Sequence, residues 1–192
     1  MSYLEGLYQR RCEVPSDINE HLPTLRRLAS RCDHVTEMGM RGAVSTTALL
    51  VAQPKRFVSW DIDAKAVVSQ NVADLVVLAG QTVFQPRVGN TLEIEIEETD
   101  LLFIDTLHTA AQLKAELARH GSKVRSWIAL HDTMTFGLRG EDGKEPGLRA
   151  AIADFQRNNF PLWGVVGDYE NNNGLVVLEH VRVPDAISWR KS

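Results

Sequence analysis

One pattern recurs through this chain: a short apolar or β-branched run, a turn carrying Gly or Asp, then a stretch with helical periodicity. Runs of that kind read as strands, and strands separated by helices pair in parallel through crossovers. The class this implies is α/β, a mostly parallel sheet with helices on both faces. Seven strands are predicted, over residues 34–38, 56–60, 82–87, 100–104, 127–130, 164–167 and 175–179. Helices are predicted at 45–52, 64–78, 109–121 and 148–158, the last with Leu148, Ile152 and Phe155 at i, i+4 and i+7. Ahead of the first strand, Ile18, Leu22, Leu25 and Leu28 recur at helical spacing, and Asp17 followed by Glu20 has the form of a capping box. A helix over 15–31 is therefore expected. Asn171-Asn172-Asn173-Gly174 is a turn signal that makes the last two strands an antiparallel hairpin. Seven strands in 192 residues leave no room for a second core, so the chain is read as a single domain with its core over 34–180.

Charge narrows the partners. Twenty-five acidic and 21 basic side chains give a formal net charge of −4, with no long basic run to attract a phosphate backbone, so nucleic acid is not the expected partner. No apolar stretch approaches the roughly 20 residues a bilayer crossing needs, and the opening residues lack the plan of a secretory signal. A cytoplasmic protein without membrane contact is the expectation. Cys12 and Cys32 stand 20 residues apart, which is neither a disulfide framework nor a redox pair. A zinc set of Cys12, His21, Cys32 and His34 fits none of the usual spacings.

The first strand runs into Glu37-Met38-Gly39-Met40-Arg41-Gly42-Ala43-Val44-Ser45-Thr46, where glycines let a ligand approach the backbone and Ser45-Thr46 can open a helix. The second ends in Asp61-Ile62-Asp63, with Asp61 22 residues beyond Gly39, where a carboxylate can accept both hydroxyls of a ribose. Together these point to an adenosine-bearing ligand. The dinucleotide fingerprint Gly-x-Gly-x-x-Gly is absent, and an acid at Glu37 suits the cationic methionine end of S-adenosylmethionine while repelling a pyrophosphate.

Those segments, with Phe103-Ile104-Asp105-Thr106-Leu107-His108 and Leu130-His131-Asp132-Thr133, resemble the class I S-adenosylmethionine-dependent methyltransferases over about residues 15–180. Within that class the resemblance is to the small-molecule O-methyltransferase branch that includes cephalosporin-hydroxylase-like and macrocin O-methyltransferase-like proteins. It implies a Rossmann-like seven-stranded sheet with an antiparallel last strand. It also implies a methyl donor bound by Glu37, Gly39, Arg41, Gly42, Ser45 and Thr46, with Asp61 and Ile62 at the ribose, Gly89-Asn90 near the adenine and Asp105 beside the donor.

Asp105 and Asp132 each end a buried-looking strand, and in a parallel sheet those ends open on one side. Two carboxylates in one cleft suit magnesium, and His131 would add a nitrogen better suited to manganese, iron or zinc. Metal-dependent relatives carry acids at the places of Asp105 and Asp132; catechol-type relatives have Asn where this chain has Thr133 and a basic Lys where it has His108. A mechanism follows in which the ion acidifies the acceptor hydroxyl, His108 or His131 takes the proton and the oxygen attacks the methyl.

Other features take plainer readings. His34 and His120 are expected at the surface or as caps, and Trp60, Trp127 and Trp163 in the core. Residues 93–100 read as a solvated edge, and the Gly-rich 134–147 as either a lid or a disordered excursion. Segments 1–14 and 181–192, with Trp189, are read as packing on a partner subunit, which would make a homo-oligomer. Two other functions compete with the methyltransferase reading: an NAD(P)-dependent oxidoreductase, and a domain that binds S-adenosylmethionine without turnover.

Overall fold

The computed structural model describes residues 2–181. Seven strands form one sheet: β1 (His34–Met38), β2 (Arg56–Asp61), β3 (Val83–Val88), β4 (Thr99–Ile104), β5 (Val124–His131), β6 (Trp163–Tyr169) and β7 (Leu175–His180). Their order is β3-β2-β1-β4-β5-β7-β6, all neighbours parallel except β7, which runs antiparallel to β5 and β6. The hairpin read from Asn171–Gly174 is the β6–β7 turn, closed by a Gly174 N–H to Asn171 carbonyl bond of 2.8 Å.

The central strands bury both faces, and in β4 this shows as an unbroken apolar run over Leu101–Ile104. Leu101 and Phe103 of β4 pack into one layer with α1 (Tyr3–Glu13), α2 (Leu22–Ala29), α3 (Val44–Val51) and α5 (Gln70–Leu78). Leu102 and Ile104 pack into the other with α6 (Ala110–His120) and α7 (Leu148–Asn158). Burying each such side chain contributes about 1.5–3 kcal/mol, and a one-residue slip would exchange the two sets, so the register is strongly set.

Several helix expectations need correction. The helix over 15–31 starts only at Leu22, where Pro23 occupies the first turn; Asn19–His21 is a 3-10 turn. Asp17 and Glu20 form no capping box, because Asp17 pairs with Arg41 and Glu20 accepts from the Asn171 amide at 2.5 Å. Within segment 1–14, read as packing on a partner, residues 3–13 form α1, which buries Leu4 and Tyr8 on the chain's own core; residues 182–192 with Trp189 lie outside the described residues. Helix 64–78 divides into α4 (Ala64–Val67) and α5, because the Ser69 hydroxyl caps the second piece by accepting from Val72 N–H.

His34 and His120 are buried rather than superficial. Their rings bond to the carbonyls of Glu98 (2.6 Å) and Thr91 (2.7 Å), and burial pushes both imidazoles below their usual pKa. Within 93–100, Ile96 is buried and Asp100 accepts from the N–H groups of Asp33 and His34 at 2.9 Å each. Among the described residues no metal-competent cluster includes Cys12 or Cys32, and no helix is long and apolar enough to cross a membrane.

Candidate active site

The strand order reverses between β1 and β4, and a crevice opens there at their carboxyl ends. Gly39 closes the gap between the two strand tips. Its φ is +90°, and a Cβ there would stand 1.8 Å from the Asp105 carbonyl oxygen, so no other residue fits. Arg41 and Ala43 also hold positive φ, a cost that persists only where the surroundings impose it. Asp61 imposes it from β2: its Oδ2 accepts the N–H groups of Met40 (2.8 Å) and Arg41 (2.7 Å). From the other side, Arg11 of α1 donates to the Ala43 carbonyl and Asp17 pairs with Arg41.

Glu37 does not face the crevice as the sequence suggested. It is fully buried under the loop, accepting from the hydroxyls of Ser45 (2.6 Å), Thr46 (2.8 Å) and Ser59. Burial pushes its carboxyl up to about 7, against the three hydroxyls, which pull the other way. Ser45 and Thr46 thus turn inward, and α3 opens earlier, at Val44. The three residues underpin the loop and do not line the cavity beside it.

That cavity, of about 840 Å³, is lined by Gly39, Arg41, Gly42, Asp61, Ile62, Asn90 and Asp105 among the residues singled out from sequence. Trp60, expected in the core, is also a wall residue; the Arg87 guanidinium lies 5.3 Å from its ring centre. Thr91, Leu92, Thr106 and Gln112 complete the far end; of these only Thr106 fell within a sequence motif, that of residues 103–108. Behind them Glu116 is buried, accepting from Thr91 (2.5 Å), Gln112 (2.8 Å) and Thr106 (2.9 Å). Burial raises its carboxyl above the usual range despite these bonds. The Asn90 side chain folds onto its own loop, accepting from Leu92 N–H and donating to Glu93, both at 3.0 Å.

Beyond Asp105 lies a cluster of acids and imidazoles. His108 Nε2 is 3.2 Å from Asp105 Oδ1 and 2.8 Å from Asp132 Oδ2. His131 Nδ1 is 3.4 Å and 3.3 Å from the same two oxygens, near enough for charge attraction but misaligned for a hydrogen bond. Burial lowers both imidazoles, yet the two carboxylates outweigh it and hold each at about 10. Burial likewise raises Asp105 and Asp132, and the imidazoles override it, holding both below the usual carboxylate range. Asp132 sits at φ +59°, a strained position at the β5 tip.

The donor set fits a cation. Oxygen or nitrogen atoms of Asp105, His131 and Asp132 lie within 4.8 Å of one another, and His131 Nδ1 and Asp132 Oδ1 are buried without hydrogen-bond partners. The Asp17 carbonyl, 3.1 Å from His131 Nε2, fixes the ring so that Nδ1 faces the acids. The 134–147 segment is not a disordered excursion but a hydrogen-bonded loop, with Glu141 N–H on the His108 carbonyl (2.9 Å) and Gly147 N–H on Leu138 (2.7 Å). It delivers Glu141 Oε2 to 3.0 Å from His108 Nδ1 and stacks Phe136 on the same ring, 4.8 Å between centres. An acid inside a Gly-rich loop offered no periodic signal, so sequence reasoning missed Glu141.

No protein-family model matches the sequence, and no curated protein matches it either. Solved structures do. An O-methyltransferase from Bacillus cereus in complex with S-adenosylhomocysteine superposes at TM-score 0.67 with 16% identity, over 93% of this chain and 90% of that one. It shares the fold of these methyltransferases. TomG, an O-methyltransferase from Streptomyces achromogenes involved in tomaymycin synthesis and solved with S-adenosylmethionine, gives 0.65 and 15% over 93% and 89%. The S-adenosylhomocysteine-bound methyltransferase PaMTH1 from Podospora anserina gives 0.60 and 14% over 93% and 87%. The Rossmann-like sheet with its antiparallel β7 is therefore a methyltransferase-type sheet.

Proposed function

We propose that this chain is an S-adenosylmethionine-dependent O-methyltransferase acting, with a divalent ion, on a small hydroxylated molecule of sugar or natural-product type. One observation carries the reading: Asp105 belongs both to the wall of the cavity and to the acid–imidazole cluster, so a bound donor and a bound acceptor would meet there. The structural neighbours with bound S-adenosylmethionine or its product support it. Bound, the donor would supply an electrophilic methyl on a sulfonium. Gly39, Arg41 and Gly42 would lie along its methionyl part, Asp61 and Ile62 at the ribose, and the Asp105 carboxylate near the cationic end.

Asp105, His131 and Asp132 would hold the ion, a Lewis acid that lowers the pKa of an acceptor hydroxyl. Two carboxylates admit magnesium, and the imidazole shifts preference toward manganese. His108 Nε2 is the proton acceptor we assign: an ion taking up the charge of Asp105 and Asp132 would remove what holds this imidazole at about 10 and leave it neutral, with Glu141 holding its Nδ1 and Phe136 covering its face against water. A nicotinamide cofactor is the weaker reading, since Gly39 and Gly42 lack the third glycine of the dinucleotide turn and the Asp105 carboxylate beside Gly39 would repel its pyrophosphate. A cytoplasmic setting and a homo-oligomer belong to the same proposal, as does the exclusion of nucleic acid, which rests on the net charge of −4.

Isothermal titration with S-adenosylmethionine and S-adenosylhomocysteine, with and without magnesium or manganese, tests this. Micromolar binding of both is expected; no binding under any condition overturns it. Asp132→Asn is expected to abolish the response to metal while sparing donor affinity, and an unchanged metal response removes the ion from the reading.

A further inference from the structure

The far end of the cavity carries a second kind of information. With a ribose at the β2 tip and the reacting end at Gly39 and Asp105, the base of a nucleoside ligand must extend toward the β3 tip, among Gly89, Asn90, Thr91, Leu92 and Gln112. Ile62 and Leu92 supply apolar surface there, both being exposed in the free protein. A base edge also needs polar partners, and most side chains at that end have spent theirs. The Asn90 amide is bound within its own loop, and the Thr91 hydroxyl is 2.5 Å from Glu116 Oε1.

Gln112 differs. Its Nε2 donates twice, to Thr91 Oγ1 at 3.2 Å and to Glu116 Oε1 at 2.8 Å, while its Oε1 accepts no hydrogen bond among the described residues. The two acceptors decide the amide's orientation, because a reversed amide would set its carbonyl against Glu116. We infer that Gln112, locked by Thr91 and Glu116, is the specificity residue for the base: its Oε1 accepts the exocyclic amine of adenine and rejects a base with a carbonyl at that position. This deepens the methyltransferase reading and rests on it. The buried Glu116 then acts through Gln112 as a positioning residue. A 6-oxo base would confront acceptor with acceptor, the arrangement by which a built polar site discriminates most strongly.

The test compares S-adenosylhomocysteine with its deaminated analogue S-inosylhomocysteine by titration calorimetry. Wild-type protein is expected to prefer the adenine compound by about tenfold or more, the scale of one hydrogen bond lost and one acceptor left facing another. Gln112→Met is expected to bind S-adenosylhomocysteine about tenfold more weakly while binding the inosine compound within about threefold of wild type, so that discrimination collapses. A residue that only supported the fold would weaken both ligands alike, and that result overturns the inference. Equal affinity of the wild-type protein for the two compounds overturns it without any variant, so it stays testable if Gln112→Met does not fold. Failure of wild-type protein to bind either compound overturns the methyltransferase reading itself, and this inference with it.

Discussion

At Gly39 an added methyl group would overlap the Asp105 carbonyl at 1.8 Å in a backbone conformation that L side chains avoid. Gly39→Ala is therefore expected to cost about 3 kcal/mol or more, read as a fall in the urea midpoint, since neither strand tip can retreat without breaking the sheet. Asp61 is a residue of two duties. Asp61→Ala removes the acceptor for Met40 and Arg41 N–H and should weaken S-adenosylhomocysteine by about 1–3 kcal/mol, whereas Asp61→Asn retains one oxygen and should lose less. Glu37 gives a pH signature. Its carboxyl is raised in the folded protein to about 7 from an ordinary 4.5, so the unfolded chain releases that proton first as pH rises. The stabilisation is complete below about pH 4.5 and is lost as pH climbs to about 7, up to about 3 kcal/mol. Urea titrations of wild type and Glu37→Gln should diverge across that window; parallel curves would show that Glu37 does not titrate there. Of these three residues, Gly39 and Asp61 were legible as parts of a ligand loop. Glu37 was legible as important but misassigned, because spacing cannot tell a carboxylate facing a ligand from one buried under three hydroxyls.

At the scale of elements, α1 was invisible as part of the core and yet touches the site. Arg11 donates to the Ala43 carbonyl from this helix, and the chain beyond it brings Asp17 to Arg41 and the Asp17 carbonyl to His131. Arg11→Ala should weaken donor binding through a looser loop while leaving the sheet folded, measured as S-adenosylhomocysteine affinity beside far-UV circular dichroism. The 134–147 loop poses the converse case. Its length set it apart in the sequence, but only its contacts with His108, the Glu141 N–H on the carbonyl and the Glu141 and Phe136 side chains on the ring, make it part of the site. Deleting residues 139–144 removes Glu141 and should depress acceptor turnover more than donor affinity. Strand positions were legible to within a few residues because each is a short apolar or β-branched run bounded by turn residues, most plainly in β4, where Leu101–Ile104 are buried on both faces. Helix starts were less so: Pro23 sits in the first turn of α2, α3 opens at Val44 straight after Ala43 at positive φ, and Ser69 caps α5, none of which periodicity reports.

For the whole molecule, a ligand that binds only the folded state raises stability by RT ln(1 + [L]/Kd), about 2.7 kcal/mol at a hundredfold excess over Kd. Thermal melts with S-adenosylhomocysteine should rise and those with NAD should stay level; the opposite pattern would favour the oxidoreductase. What the sequence determined by itself was the alternation of strands and helices, the hairpin at Asn171–Gly174, the Gly39–Gly42 loop with Asp61, and the pairing of Asp105 with Asp132. These follow from local periodicity and from the rule that parallel strands open their carboxyl ends on one side. Tertiary structure alone decided that Glu37 lies beneath the loop, that Trp60 and Gln112 wall the cavity, and that Glu141 reaches His108. Those positions depend on contacts between segments far apart in the chain, such as Glu141 with His108 and Gln112 with Thr91, and such contacts leave no periodic trace in the residues that make them.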